Sequence, residues 1–83
     1  MPLFMDVHNT IPAGADAAAV ADAHAADQRI QDKYDTRYLN YWFDADHRKI
    51  FCLVEAPDEA AARSVHKEAH GLIADEIYAV EQG

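Results

Sequence analysis

Two histidines four residues apart, His66 and His70, are the clearest sign of chemistry in this sequence. Residues at this spacing lie on the same face of a helix, so both imidazoles can bind one transition-metal ion. The pair alone is a weak signal, because a chain of 83 residues with five histidines often contains such a spacing by chance. It gains weight from Asp6 and His8 at the end of an apolar run and from His24 in a predicted helix. The predicted metal ligands are Asp6, His8, His24, His66 and His70.

Composition narrows the class of protein. Half of the residues are hydrophobic, which is typical of a globular domain, and the net charge of -8 disfavours nucleic-acid binding. No apolar run approaches the roughly 20 residues that cross a membrane, and no basic region precedes an apolar stretch as in a signal peptide. The single cysteine, Cys52, excludes an internal disulfide framework and fits a reducing compartment. We therefore expect a cytoplasmic protein that contacts neither nucleic acid nor membrane.

The pattern of apolar and turn residues predicts the order β-α-β-β-α-β. Strands are predicted over residues 3–8, 37–43, 49–55 and 76–81, and a first helix runs from the N-cap Asp16 to about Lys33. A second helix opens at Pro57 and Asp58 and ends near Gly71. Its predicted buried line consists of Ala61, Val65, Ala69 and Leu72, and that of the first helix contains Val20, Ala23, Asp27 and Ile30.

Right-handed crossovers turn this order into one ferredoxin-like domain over residues 1–83. Its four-stranded antiparallel sheet carries both helices on one face. The first three strands are apolar on both sides, so the uncovered sheet face predicts association. We expect a homodimer that packs sheet against sheet.

Strand alternation leaves two geometries open for the predicted site. Phe4, Asp6 and His8 share one face of the first strand, and Leu3, Met5 and Val7 share the other. The more apolar set is the better one to pack beneath the helices, which would direct Asp6 and His8 to the open face beside Asn40, Trp42 and Glu55. In the other geometry Asp6 and His8 meet His24, His66 and His70 in the interior. In both, Asp6 needs a partner, because an unpaired buried carboxylate is unfavourable by several kcal/mol.

Several segments together resemble a known family. They are Pro2-Leu3-Phe4-Met5-Asp6-Val7-His8, Ala23-His24, residues 38–42, Phe51-Cys52-Leu53-Val54-Glu55-Ala56-Pro57 and Val65-His66-Lys67-Glu68-Ala69-His70-Gly71-Leu72. This combination is similar to a family of short actinobacterial proteins that was first classed as a domain of unknown function and includes nickel-binding, nickel-responsive members. The resemblance covers nearly the whole chain and implies a ferredoxin-like dimer that binds nickel in the cytoplasm.

The leading functional hypothesis is nickel(II) binding for sequestration or homeostasis, without catalysis. Imidazole and carboxylate donors suit Ni²⁺, and Zn²⁺ or Cu²⁺ suit the same donors. The alternative is a small dimeric enzyme or small-molecule-binding protein in which Asp6 and His8, with Tyr38 and Trp42, perform acid–base chemistry in a pocket. A third reading is a dimeric scaffold with no metal. Cys52 is interpreted as a small buried hydrophobic residue.

Overall fold

The computed structural model describes residues 1–83 and contains the predicted elements in the predicted order. They are β1 (Leu3–His8), α1 (Ala17–Ile30), β2 (Arg37–Asp44), β3 (Lys49–Glu55), α2 (Glu59–Ala69) and β4 (Glu76–Ala79). The sheet order is β2-β3-β1-β4, and every neighbouring pair is antiparallel. The prediction of a ferredoxin-like fold with a four-stranded antiparallel sheet and two helices is confirmed.

Side-chain caps fix where both helices begin. Asp16 accepts a hydrogen bond from the backbone of Ala19, and Asp58 accepts one from Ala61. Helix α1 ends three residues before its predicted end and continues as a 3₁₀ turn, Gln31–Tyr34. Helix α2 ends at Ala69, close to the predicted Gly71, whose φ of 79° is easy only for glycine. Neither helix has the length and apolar character of a membrane-spanning segment.

Of the two orientations left open for β1, the one that the apolar residues favoured is wrong. Phe4, Asp6 and His8 point beneath the helices, whereas Leu3, Met5 and Val7 lie on the open face of the sheet. The expectation counted only apolar residues on the strand. It did not account for polar groups on the helices that pair with Asp6 in the interior, and this pairing removes the penalty of burying a carboxylate.

The buried line of α2 also differs from its prediction. Ala62, Val65 and His66 are buried, while Ala61 and Ala69 are only half-buried. The prediction selected only apolar residues and therefore left out His66. The helix is rotated toward His66 because this side chain finds charged partners in the interior.

An irregularity in β2 directs two tyrosines toward the helices. The register with β3 shifts between Tyr38 and Asn40, so Tyr38 pairs with Val54 and Tyr41 pairs with Cys52. An extra residue in one strand reverses the alternation of the residues after it. Tyr38 and Tyr41 therefore share the covered face although they are three residues apart.

Candidate metal centre

His66 lies at the centre of a buried polar cluster between α1, α2 and the sheet. Its side chain is fully enclosed, and both ring nitrogens face carboxylates. Nδ1 is 3.0 Å from Oδ1 of Asp27 on α1, and Nε2 is 3.0 Å from Oδ2 of Asp6 on β1. Through this one imidazole, the cluster joins the first helix to the central strand of the sheet.

The β1 side of the cluster contains Asp6 and His8, which alternation brings to the same face. Nε2 of His8 is 3.3 Å from Nε2 of His66 and 3.4 Å from Oδ1 of Asp6. The hydroxyl of Tyr38 lies 3.0 Å from Oδ2 of Asp6 and 3.1 Å from the carbonyl oxygen of Ala62. Oδ1 of Asp6 is buried without a hydrogen bond. A buried carboxylate oxygen without a partner can accept a hydrogen bond or bind a cation.

The helical side of the cluster is organised by Asp27, which is buried in α1. Its Oδ1 also lies 3.0 Å from Nε2 of His70, so one carboxylate oxygen contacts both histidines of the predicted pair. Asp27 was not among the predicted ligands. Its signal in the sequence was an aspartate within the apolar stripe of α1, where a charged residue needs a buried partner.

The arrangement shifts the protonation of its members. Burial alone would lower the pKa of His66, but the hydrogen bonds and charges of Asp27 and Asp6 outweigh it and raise the pKa to about 9. Burial opposes ionisation of Asp6, yet its hydrogen bond with His66 and the nearby imidazole of His8 hold its pKa below the usual value. The pKa of Asp27 is lowered for the same reason by His66 and His70. Without a metal, His66 is therefore an imidazolium between two carboxylates.

Two sets of donor atoms in this cluster are close enough to hold a metal ion. One consists of Asp6, His8, Cys52 and His66, and the other of Asp27, His66 and His70. They share His66 but use its opposite nitrogens. The donor set and the unpartnered Oδ1 of Asp6 fit a divalent transition metal, which takes imidazole nitrogen and carboxylate oxygen. Burial, and to a smaller extent the charge of Asp6, raises the pKa of the Cys52 thiol. The sulfur is therefore protonated and neutral without a metal.

Four of the five predicted ligands are thus brought together by the fold, and His24 lies to one side. The His24 ring packs against Tyr41 with 4.7 Å between ring centroids, and its Nδ1 is buried without a hydrogen bond. Burial lowers the pKa of His24, and the charge of Asp27 opposes this only in part. The fifth histidine of the chain, His47, is exposed in the turn after β2, where it contacts Asp44.

The residues that the enzyme alternative needs in one pocket lie on opposite faces of the sheet. Tyr38 reaches Asp6 as that hypothesis required. Trp42, however, pairs with Phe51 on the open face, and half of its surface is exposed. Burial, followed by the charge of Asp6, raises the pKa of the Tyr38 hydroxyl, so this group is a neutral hydrogen-bond partner and a poor base.

Comparisons with known proteins identify the family of the chain. The model of a family described as nickel responsive protein, SCO4226-like, matches residues 4–80. Among solved structures, the crystal structure of SCO4226 from Streptomyces coelicolor A3(2) is similar, with a TM-score of 0.88 and 33% sequence identity over 98% of each chain. No curated protein matches the chain. The resemblance seen in the sequence is confirmed, and the chain belongs to the SCO4226-like family of nickel responsive proteins.

Proposed function

We propose that this protein binds nickel(II) in the buried cluster around His66 and serves nickel sequestration or homeostasis without catalysing a reaction. One observation carries the proposal: Asp6, His8 and His66 converge within 3.4 Å while Oδ1 of Asp6 has no hydrogen bond. The name of the family and the structural similarity to SCO4226 support nickel as the ion. Zn²⁺ and Cu²⁺ are expected to bind the same donors in vitro.

The side of His66 that faces Asp6 and His8 is the better position for the ion. There, Nε2 would bind the metal while Nδ1–H donates to Asp27 at 3.0 Å. A carboxylate behind a metal-binding histidine fixes its tautomer and increases its basicity. His70 contacts the same carboxylate at 3.0 Å and helps to hold it in place. In this assignment Asp6, His8 and His66 bind the ion, and Asp27 and His70 orient His66.

Metal binding at this position must displace a proton from His66. The imidazolium is stabilised by both carboxylates, which raises its pKa to about 9. At neutral pH the ion therefore competes with a bound proton, and nickel affinity rises with pH. The same two carboxylates offset the charge of the ion once the proton has left.

Isothermal titration of the protein with Ni²⁺ tests the proposal. We expect the double variant His66→Ala/His70→Ala to bind at least about 100-fold more weakly than the wild type, since ligand loss exceeds the 10- to 100-fold effect of changing an orienting partner. His47→Ala is the matched control, because His47 is exposed outside the cluster. Equal affinity of the double variant and the wild type would exclude the cluster as the nickel site.

Single variants separate the two positions of the ion. His8→Gln removes one ligand and is expected to weaken nickel binding by roughly 100-fold or more, whereas His70→Gln weakens it by roughly 10-fold or less. The reverse order would place the ion on the Asp27 side of His66. The amide side chain of glutamine replaces each ring with a polar group, and circular dichroism checks that each variant folds.

We further propose that the protein acts as a cytoplasmic homodimer joined through the open face of the sheet. This face displays apolar side chains from all four strands, with Trp42 and Tyr78 each about half exposed. Leu3, Met5, Phe51 and Leu53 on the same face are only half-buried. Such a patch on a chain of 83 residues is typical of an interface, and the net charge of -8 disfavours nucleic acid as its partner.

A further inference from the structure

Cys52 lies on the covered face of the sheet, directly opposite Asp6. The two residues are register partners on β3 and β1, and both are buried. Residues that oppose each other in an antiparallel pair have Cβ atoms about 4.5–5.5 Å apart. The thiol therefore borders the polar cluster, although its position in an apolar strand indicated only a small hydrophobic residue.

The neighbours of Cys52 on the same face of β3 are apolar. Ile50 and Val54 are buried on either side of it and belong to the hydrophobic core. Of these three positions, only that of Cys52 pairs with a carboxylate on β1. Packing requires a small apolar side chain here, and a thiol meets that requirement while adding a potential metal ligand.

The sulfur completes a set of four donor atoms. Sγ of Cys52, a carboxylate oxygen of Asp6 and one ring nitrogen each of His8 and His66 all lie within 4.8 Å of one another. A chamber of about 30 Å³, bordered by Cys52 and both histidines, lies beside them. This volume accommodates a particle of the size of one water molecule. The four donors therefore have the spacing and the room to close around one ion.

Asp6 gives an independent indication that this set lacks a partner. The residue has no exposed surface, and its Oδ1 is buried without a hydrogen bond. The imidazole of His8 lies 3.4 Å from this oxygen and does not satisfy it. A buried carboxylate oxygen in this state is unfavourable, and an ion held by the four donors would remove the penalty.

The charge of the cluster favours a thiolate over a neutral thiol as the fourth ligand. Binding of one Ni²⁺ breaks the S–H bond of Cys52 and the Nε2–H bond of His66. Both protons leave to the solvent, and each freed electron pair forms a bond to the ion. Two positive charges leave and two enter, so the net charge of the buried cluster is unchanged. With a neutral thiol, the interior would gain one positive charge, which is unfavourable at low dielectric.

We propose that Cys52 binds the nickel ion as a thiolate, completes the set of four ligands and makes the site selective for Ni²⁺ over hard ions such as Mn²⁺. This inference rests on the proposed function, because it concerns the same ion. Hard ions prefer oxygen donors and gain little from sulfur, whereas borderline and soft ions gain more. Without a metal, the thiol serves only the packing of the core.

Absorption spectroscopy of the protein titrated with Ni²⁺ tests the proposal. A nickel–thiolate bond is expected to give a sulfur-to-metal charge-transfer band in the near ultraviolet, which grows with added Ni²⁺ and saturates. Cys52 is the one cysteine of the chain, so the band has a single possible source. X-ray absorption at the nickel edge should show one sulfur neighbour beyond the nitrogen and oxygen neighbours, as in zinc sites with about 2.3 Å to sulfur and 2.0–2.1 Å to nitrogen.

Cys52→Ala is expected to remove the band and the sulfur neighbour. It should weaken Ni²⁺ binding roughly tenfold or more and change Mn²⁺ binding by about twofold or less. The loss is smaller than for a histidine ligand, because the thiol must first give up a proton. Val54→Ala removes apolar volume from the same face of β3 and is the matched control. It should keep the band and the ratio of the two affinities.

The outcomes separate this inference from the proposed function. Saturable Ni²⁺ binding that is lost in His66→Ala/His70→Ala, but shows neither band nor sulfur neighbour in the wild type, would overturn the role of Cys52 and leave the nickel site in place. A band that persists in Cys52→Ala, or equal losses of Ni²⁺ and Mn²⁺ affinity, would also overturn it. Ni²⁺ binding that is unchanged in the double variant would reject both proposals. The wild-type spectra decide the question even if Cys52→Ala fails to fold.

Discussion

Each face of the sheet carries side chains that depart from the usual distribution, a polar cluster within the apolar core on one side and exposed aromatic residues on the other. The face covered by the helices buries two aspartates and two histidines, Asp6, Asp27, His8 and His66. The open face displays Trp42 and Tyr78 with about half of their surfaces exposed. In an ordinary small domain the apolar set would be inside and the polar set outside. Both faces therefore carry residues that stability of a lone chain does not require.

The difference indicates what each face does. A buried ion cluster contributes little to stability compared with apolar packing of the same volume, although removing one member is strongly unfavourable. Its presence in so small a core points to binding at His66. The exposed apolar face, in turn, points to a second copy of the chain as its cover. The covered face would then bind the metal ion, and the open face would form the dimer interface.

Removal of one carboxylate from the covered face should have the largest effect on stability. Asp6→Ala leaves His66 without one of its two charged partners, and we expect a loss of roughly 3–5 kcal/mol in the free energy of unfolding. Asp46→Ala, in the exposed turn after β2, is the matched control and should change it by less than about 0.5 kcal/mol. Urea unfolding of the metal-free proteins measures both. If Asp6→Ala lowered the free energy of unfolding as little as Asp46→Ala does, the charges of the cluster would not be coupled.

The same face should make stability depend on alkaline pH. The pKa of His66 is raised to about 9 in the folded protein, from about 6.5 when unfolded. The folded state therefore binds this proton more tightly. Its stabilisation is fully present below pH 6.5 and is lost as the pH rises through 9, a change of roughly 3 kcal/mol.

Melting temperatures of the metal-free protein between pH 6 and pH 10 measure this loss. The variant His66→Gln has no such proton and should show a much flatter profile over the range where His66 titrates. A wild-type profile as flat as that of the variant would mean that His66 is neutral in the folded protein. At acidic pH, the wild-type protein should lose stability as Asp6 and Asp27 are protonated, since their pKa values are lowered by folding.

A charge on the open face should break the dimer without unfolding the chain. Trp42→Glu replaces a half-exposed indole, and loss of a central tryptophan weakens an interface by about 2 kcal/mol or more, roughly 30-fold in the dissociation constant. Ala60→Glu, on the exposed side of α2, is the control. Sedimentation equilibrium measures the change. A wild-type protein that is monomeric at all concentrations would refute the assignment of this face.

The smallest effect is expected from the two turn glycines. Gly14 and Gly71 both have positive φ values, 83° and 79°, and an added Cβ meets no atom within 4 Å at either position. Alanine should therefore destabilise each by about 1 kcal/mol through backbone strain alone. Thermal unfolding compares the two variants. Gly71 follows His70 directly, so only Gly71→Ala should also weaken nickel binding.

The fold was predictable because its signals are local. Apolar alternation, the caps Asp16 and Asp58, and Gly71 located the strands and helices to within a few residues. The face of β1 was not predictable in this way. Whether Asp6 points inward depends on His66 and Asp27, which lie 60 and 21 residues away in the sequence, and no local pattern reports that pairing. Asp27 was missed for the same reason.

Nickel-edge anomalous diffraction from crystals soaked in Ni²⁺ tests the central claim most directly. The proposed function predicts one anomalous peak in the interior, about 2 Å from Nε2 of His66 and from Nε2 of His8, with Asp6 completing the contacts. A peak only at a surface imidazole such as His47, with His66 still paired to Asp6 and Asp27, would contradict it. The cluster would then stabilise the fold, and nickel would bind elsewhere.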